Sequence, residues 1–202
     1  MIGRRMVHGL ALLLLFEGIA SALGIRFPLA KTSCSPNRQW RAVLRTDTTK
    51  DTGIHTLYLK DSSSADSSGI FTFDRGCDLL WNPNAEIAAI TDWRGSNVSE
   101  VHLLDLRKAP YRRRLKDLVP SLGSELSPSE TSGHLYWEAV AWKSADELEL
   151  RAYGHTDEAP SHGFLFRYLV NIAHGNSRLI GRETSPAAVI EQRILNERNL
   201  GD

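Results

Sequence analysis

The sequence has 202 residues, and its 24 lysines and arginines balance 24 aspartates and glutamates, so the formal net charge is zero at pH 7. A near-neutral chain has no overall electrostatic reason to bind nucleic acid or an anionic membrane, and we expect neither partner. Arg112, Arg113 and Arg114 form a local basic run. Such a run is typical of a solvated edge strand whose charges discourage pairing with other chains.

The first 22 residues have the features of a secretory signal peptide. Arginines precede an apolar run at residues 10–16, and the small side chains of Ala20 and Ala22 suit cleavage after Ala22. Spanning a bilayer takes about 20 apolar residues. Glu17 interrupts the run too early, so we expect no stable membrane anchor. The sequence therefore predicts a periplasmic or secreted protein.

The chain that follows the signal peptide keeps two cysteines, Cys34 and Cys77. In an oxidising compartment, an isolated pair of cysteines most often forms one disulfide. We therefore predict a Cys34–Cys77 disulfide, with two buried thiols as the alternative.

Three segments of the chain follow one template. Each begins with a polar turn that is preceded by Cys34, Trp81 or Trp142, and these turns lie at residues 35–38, 82–85 and 143–146. The first strand of each segment ends at the turn, and an apolar run after the turn is the second strand. A polar loop then leads to a third strand, which ends in Asp or Asn, and a short fourth strand closes the segment. Repeats of roughly 50–60 residues with four strands each are typical of propeller-like blades.

The sequence thus predicts an all-β fold of three four-stranded antiparallel propeller-like sheets, at residues 23–183, followed by a C-terminal α-helix at 184–202. Pro186 suits the first turn of that helix, and Ile190 and Ile194 line one of its faces. The Ser- and Pro-rich insert at 119–131 is interpreted as a surface loop. An unrelated antiparallel sandwich is the alternative fold.

The second segment carries a family resemblance. Its turn at 81–84, its Asp-Trp-Arg-Gly loop at 92–95 and its strand at 100–106 resemble the WD40-like repeat of TolB-type β-propellers, although no segment keeps the glycine that follows the family's turn. Closed propellers usually need four or more blades. The resemblance therefore implies either a homodimer that completes a six-bladed ring or three sheets in an open domain.

Motifs for nucleotide binding, paired metal ligation or a nucleophile elbow are not found in the sequence, and we expect no cofactor. The weak metal candidates are His155, Asp157, Glu158 and His162, because two imidazoles and two carboxylates within one loop have the right ligand chemistry. We expect this polar loop to face water without a metal.

The loops at 46–53, 92–97 and 154–162 are predicted to emerge at one end of the three sheets, where binding residues concentrate. Trp93 and Arg94 are the predicted protein contacts, because exposed Trp and Arg are preferred interface anchors. Asp92, Asp51 and Asp157 are the predicted supporting contacts. The alternative for Trp93 is that it folds back over its own strands.

Taken together, the sequence predicts an exported, non-catalytic protein that binds another protein through these loops. A narrower alternative is a periplasmic inhibitor or immunity protein that blocks a secreted hydrolase. An alternative from another class is a metal-dependent hydrolase that uses the polar loop at 155–162.

Overall fold

The computed structural model describes residues 24–47, 53–107, 110–157 and 161–199. The predicted signal peptide, Asp51 and Glu158 lie outside these ranges. The first nine strands are β1 (Ile25–Phe27), β2 (Thr32–Cys34), β3 (Trp40–Thr46), β4 (His55–Asp61), β5 (Ser67–Phe73), β6 (Cys77–Trp81), β7 (Ile87–Asp92), β8 (Glu100–Asp105) and β9 (Tyr111–Arg114). The remaining elements are α1 (Leu115–Leu118), α2 (Pro128–Ser132), β10 (His134–Trp142), β11 (Glu147–His155), β12 (His162–Asn171), β13 (Asn176–Pro186) and α3 (Ala187–Asn199).

The strands form three consecutive antiparallel meanders, which confirms the predicted fold class. The first sheet has the order β2-β3-β4-β5 and the third has the order β10-β11-β12-β13. The second sheet contains the expected β6-β7-β8-β9 and a fifth strand, β1, whose Phe27 pairs with Cys77. The sequence analysis missed β1, because a three-residue strand has no measurable periodicity.

The repeated turns are built by their first polar side chain. Asn82 is buried, and its Oδ1 accepts hydrogen bonds from the backbone N–H groups of Glu86 and Ile87 at 2.9 and 3.1 Å. Its Nδ2 donates to the carbonyl oxygen of Ala145, in the equivalent turn of the third sheet, at 3.1 Å. In the first sheet, the Oγ of Ser35 accepts from the backbone N–H of Trp40 at 3.0 Å.

The position where the resembling family carries glycine is occupied by Arg38 in the first turn and by Ala85 in the second, and both residues have a φ of 59°. The left-handed conformation costs an L-residue roughly 1–2 kcal/mol relative to the right-handed one, a cost that glycine avoids. Both turns therefore keep the left-handed conformation, although neither has glycine at this position.

Two apolar cores hold the sheets together. The core between the first and second sheets includes Leu57, Phe71, Leu79 and Ile90. The core between the second and third sheets includes Leu80, Leu103, Leu148, Phe164, Phe166 and Tyr168. The second sheet is therefore covered on both faces, which explains the uninterrupted burial of β7.

The insert at 119–131, predicted to be a surface loop, contributes to the core instead. Val119 and Leu122 are buried between the second and third sheets. The helix α2 begins with a capping box, in which the Oγ of Ser127 accepts from the backbone N–H of Glu130 and the Glu130 carboxylate accepts from the backbone N–H of Ser127. The polar residues of the insert thus cap a helix while its few apolar residues fill the core.

The C-terminal helix α3 covers the outer face of the third sheet. Ile190 and Ile194 are buried there against Tyr153 and Leu165. Pro186, which was predicted to lie in the first turn of this helix, is instead the last residue of β13, and the helix begins at Ala187. No helix in the described part of the chain combines the length and the apolar character that a membrane span requires.

Charged side chains dominate the rest of the contact between α3 and the third sheet. Arg151 and Glu138, which are 4% and 7% exposed, pair at 2.7 Å beneath the helix. From α3, Glu197 pairs with Arg151 at 2.9 Å and Arg198 pairs with Glu138 at 3.0 Å. Burial opposes ionisation of Glu138, yet the two guanidinium groups hold its pKa below the ordinary value.

The predicted disulfide is absent from the structure. Cys34 is an exposed free thiol at the end of β2, whereas Cys77 is a free thiol at the start of β6, fully buried in the core between the first and second sheets. Cys34 is the last residue of β2, whereas Cys77 is the first residue of β6, so the two thiols lie at opposite ends of equivalent strands. Burial raises the pKa of Cys77 far above its ordinary value, which keeps this thiol protonated.

Candidate functional site

A groove of about 700 Å³ opens between the outer strands of the first and second sheets. Phe71 and Phe73 of β5 line one wall, while β8 and β9 contribute the other. We call it the inter-sheet groove, and its polar lining includes Asp92, Arg94, Glu100, His102, Arg112 and Arg113.

Strand register explains why these polar side chains meet. Asp92 is the last residue of β7 and pairs directly with Glu100, the first residue of β8. Alternate residues of a strand point to the same face, so His102 shares the groove face with Glu100. Arg94 follows in the loop and donates from Nη1 to the Oε2 of Glu100 at 3.0 Å.

Asp92 has an unusual protonation equilibrium for a surface-groove carboxyl. Its burial, together with repulsion from Glu100 and in spite of the nearby Arg94, raises its pKa to about 6. The Arg94 Nε lies 3.8 Å from the Asp92 Oδ2, which is too far for a good hydrogen bond. Asp92 therefore changes from a hydrogen-bond donor to an acceptor-only anion near neutral pH.

His102 is the most deeply buried polar residue of the groove, at 7% exposed. Burial, followed by repulsion from Arg112, lowers its pKa, so the imidazole is neutral at pH 7. Its Nδ1 has no hydrogen-bond partner among the residues that the structure describes. A buried polar atom without a partner is costly, so this nitrogen lowers the stability of the folded chain.

The strand β9 forms one rim of the groove and is the last strand of the second sheet. Tyr111 is 64% exposed, and the guanidinium of Arg112 lies 5.1 Å from the centre of the Phe71 ring across the groove. The Nε of Arg113 is buried and, within the described ranges, has no hydrogen-bond partner. Arg114 is paired with Asp117 at 2.9 Å, so it is the least available of the three cations.

Trp93 points away from the groove that its two neighbours line. Its indole Nε1 donates to the Asp78 Oδ2 at 2.8 Å, and the ring is half-buried. The guanidinium of Arg198 on α3 lies 4.6 Å from its centre, and that of Arg26 on β1 lies 5.8 Å away. Trp93 thus packs where the N-terminal strand and the C-terminal helix meet, and its predicted role as a partner contact stays a prediction.

The loops of the second and third sheets meet at one end of the domain. The backbone N–H of Leu135 donates to the carbonyl oxygen of Asn97 at 3.0 Å, and the hydroxyl of Tyr136 donates to the carbonyl oxygen of Ser96. Asp157 lies at this end, exposed, just after β11. Asp51, its predicted counterpart on the first sheet, lies outside the described residues.

Two of the four predicted metal ligands lie close together in the structure, with a third residue that was not predicted. His155 and Asp157 lie close together, but the third member of their cluster is His134. His162 is exposed on β12 opposite Pro186 and does not belong to the cluster. His134 was not among the predicted ligands, although the β10–β11 hairpin register pairs it directly with His155.

No protein-family model and no curated protein sequence matches the chain. The β-propeller domain of the Trilobed protease from Pyrococcus furiosus is similar over 75% of this chain and 43% of its own, with 11% identity and a TM-score of 0.49. A structure from work on two prolyl endopeptidases is similar over 81% of this chain and 35% of its own, with 10% identity and a TM-score of 0.38. The chain spans less than half the length of either structure. The class of the protein, an all-β propeller-like domain with a C-terminal helix, rests on its own sheet topology.

Proposed function

We propose that this chain is an exported, non-catalytic protein that binds an extended segment of another protein in the inter-sheet groove. The observation that carries the proposal is an open groove of about 700 Å³ that runs along β9, the outermost strand of the second sheet. Outermost strands offer unpaired backbone groups to which an extended segment can add as a further strand.

The charges along the groove favour a partner segment that carries acidic side chains. Arg112 is exposed on the rim, and Arg113 beside it is half-buried. Guanidinium groups bind carboxylates through paired, charge-assisted hydrogen bonds.

Asp92 adds a dependence on pH to this binding. Its pKa of about 6 means that the groove gains a negative charge as the pH rises through 6. An acidic partner segment is repelled by that charge, so the proposal includes tighter binding at pH 5.5 than at pH 7.5. The guanidinium of Arg94, which pairs with Glu100 and lies 3.8 Å from Asp92, offsets part of this charge and limits the effect of pH on binding.

We also propose that the three sheets are degenerate copies of a TolB-type blade. The side-chain-capped turns of the first two sheets and the left-handed residues Arg38 and Ala85 support this relationship.

We further propose that the partner is a secreted hydrolase that the chain inhibits, a role suited to a rigid exported domain with a groove at its edge. Inhibition of a co-purified hydrolase by the free chain tests this role.

Affinity capture from periplasmic extract tests the binding role. The wild-type chain is expected to retain a partner that the double variant Arg112→Glu, Arg113→Glu loses. Arg178→Glu is the matched control, because Arg178 is exposed on β13 of the third sheet, away from the groove. Equal capture by the wild type, the double variant and the control would exclude the groove as the binding site.

Export is tested by fractionating cells and sequencing the N-terminus of the recovered protein. A mature chain that begins after Ala22 and is found outside the cytoplasm is the expected result. An intact N-terminus in the cytoplasmic fraction would contradict the proposal.

A further inference from the structure

Three side chains with metal-ligating chemistry converge where β10 begins and β11 ends. His134 and His155 are half-buried and Asp157 is exposed, and the ligand atoms of all three lie within 4.8 Å of one another. We propose that His134, His155 and Asp157 form a binding site for one divalent transition-metal ion, of which Zn²⁺ is the best representative. This site is separate from the inter-sheet groove and does not depend on the proposed binding of a partner there.

The backbone of the hairpin holds the two histidines close together. His134 and His155 are directly paired across the antiparallel strands, and their ring centres lie 4.1 Å apart. A glycine precedes each of them. A Cβ on Gly154 would lie 1.6 Å from the carbonyl oxygen of His134, and a Cβ on Gly133 would lie 2.5 Å from that of His155. The close approach of the strands therefore requires both glycines.

The donor set matches a borderline transition metal better than a hard cation. Two imidazole nitrogens and one carboxylate oxygen are a common three-ligand set for Zn²⁺, whereas Ca²⁺ and Mg²⁺ prefer oxygen ligands alone. Nitrogen ligands bind Zn²⁺ at about 2.0–2.1 Å, so neighbouring ligands lie about 3.3 Å apart around a tetrahedral ion. The ligand atoms lie within 4.8 Å of one another in the structure, so an ion would bind after the side chains rotate toward it.

Neighbouring oxygen atoms are placed to orient both rings. The Nδ1 of His134 lies 3.4 Å from the Tyr136 hydroxyl, and the Nδ1 of His155 lies 3.4 Å from the carbonyl oxygen of Thr156. Metal-ligating histidines usually donate their other ring N–H to such an oxygen, which fixes the tautomer. These contacts assign the Nε2 atoms to the metal.

A bound ion would have a structural effect and leave one position open. Three protein ligands occupy three of four tetrahedral positions, and the exposure of Asp157 lets water take the fourth. The ion would join the ends of two strands of the third sheet to the loop that follows β11. Because Tyr136 also contacts Ser96, the same ion would stiffen the junction with the second sheet.

Calorimetric titration of the tag-free chain with Zn²⁺ tests the site. The wild type is expected to bind one ion per chain and to melt at a higher temperature with Zn²⁺ than with EDTA. His134→Ala, His155→Ala and Asp157→Asn should each weaken this binding by roughly tenfold or more, since each removes a ligand. Asp157→Asn keeps the test valid if a histidine variant fails to fold, because Asp157 is exposed.

The control is His174→Ala, which removes an exposed histidine from the β12–β13 turn and should leave Zn²⁺ binding unchanged. Melting temperatures measured in EDTA show whether each variant is folded independently of metal. No binding by the wild type would overturn the proposal. Binding that survives the loss of both His155 and Asp157 would also overturn it.

Discussion

At the scale of single residues, three neighbours in one loop have three different roles. Asp92 and Arg94 line the inter-sheet groove, while Trp93 between them faces the junction of β1 and α3. The alternation of side chains along extended backbone produces this division. In this predicted binding loop, Asp92 and Arg94 are thus candidate partner contacts, whereas Trp93 packs against the rest of the domain.

Replacing Trp93 by alanine should mainly affect stability. The variant loses the hydrogen bond to Asp78, the contact with the Arg198 guanidinium and half-buried aromatic area. We expect Trp93→Ala to lower the free energy of unfolding by about 2–3 kcal/mol, less than for a fully buried Trp. Urea denaturation followed by circular dichroism measures the loss.

The matched control for that experiment is Arg94→Ala, an exposed neighbour whose loss should cost at most about 1 kcal/mol. Trp93→Phe, which keeps a ring but loses the bond to Asp78, should fall between the two. If Trp93→Ala is as stable as the wild type but captures the partner less well, the result would support the predicted role of Trp93 as a partner contact.

Replacing Asp92 by asparagine should stabilise the protein in a pH-dependent way. The folded-state pKa of about 6 lies above the ordinary value of 3.8, so the folded protein binds a proton more tightly than the unfolded chain. Ionising Asp92 therefore lowers the stability of the folded protein. This loss of stability is absent below about pH 4, grows as the pH rises and is complete above pH 6. Asp92→Asn should therefore raise the free energy of unfolding, relative to the wild type, by on the order of 1–2 kcal/mol more at pH 7.5 than at pH 4.5.

Thermal and urea unfolding of both proteins between pH 4 and pH 8 measure this gain. Asp66→Asn serves as the control, because Asp66 is an exposed carboxyl in the loop before β5, outside the inter-sheet groove. A gain that is constant across this pH range would show that Asp92 ionises normally in the folded protein.

At the scale of elements, the attachment of α3 depends on buried charge as much as on apolar contact. Only Ile190 and Ile194 of the helix are buried, whereas Glu197 and Arg198 join the pair of Arg151 and Glu138 beneath it. Removing one partner of a buried ion pair leaves an uncompensated charge, which costs roughly 3–5 kcal/mol. The geometry of this network thus specifies where the helix lies.

Glu138→Gln should consequently destabilise the protein by about 3 kcal/mol, because Arg151 and Arg198 lose their shared carboxylate. Chemical denaturation measures the loss, and hydrogen exchange should show faster opening of α3 than of the second sheet. Asp117→Asn removes an exposed ion pair with Arg114 and should change stability by less than about 1 kcal/mol. Equal effects of the two substitutions would contradict a special role of the buried network.

The strands were largely predictable because their patterns are local. The turn residues Ser35 and Asn82 mark strand boundaries, and the runs that end at Asp61 and Asp105 end as strands at those residues. The short β1 and the core residues of the insert were missed, since both depend on contacts with distant parts of the chain. In the candidate sites, Asp92 and Arg94 could be identified from their loop, but His102 and His134 required the register between strands.

At the scale of the whole molecule, the stack of sheets has two different ends. The outer face of the third sheet is covered by α3. The outer face of the first sheet carries the exposed side chains of Arg41, Arg45 and Lys60, with the Arg45 guanidinium 4.2 Å from the centre of the Tyr58 ring. Charged faces of this kind resist association with another sheet, so neither end is suited to join a second copy.

We therefore expect the chain without its proposed signal peptide to be a monomer, the open-domain alternative rather than half of a six-bladed ring. Size-exclusion chromatography with light scattering at high protein concentration measures this state. A variant that ends at Pro186 should form dimers or aggregates, because it exposes Tyr153 and Leu165 and leaves the Glu138–Arg151 pair without its helical partners. A stable dimer of the full processed chain, unchanged by loss of the helix, would instead support completion of a ring through the first sheet.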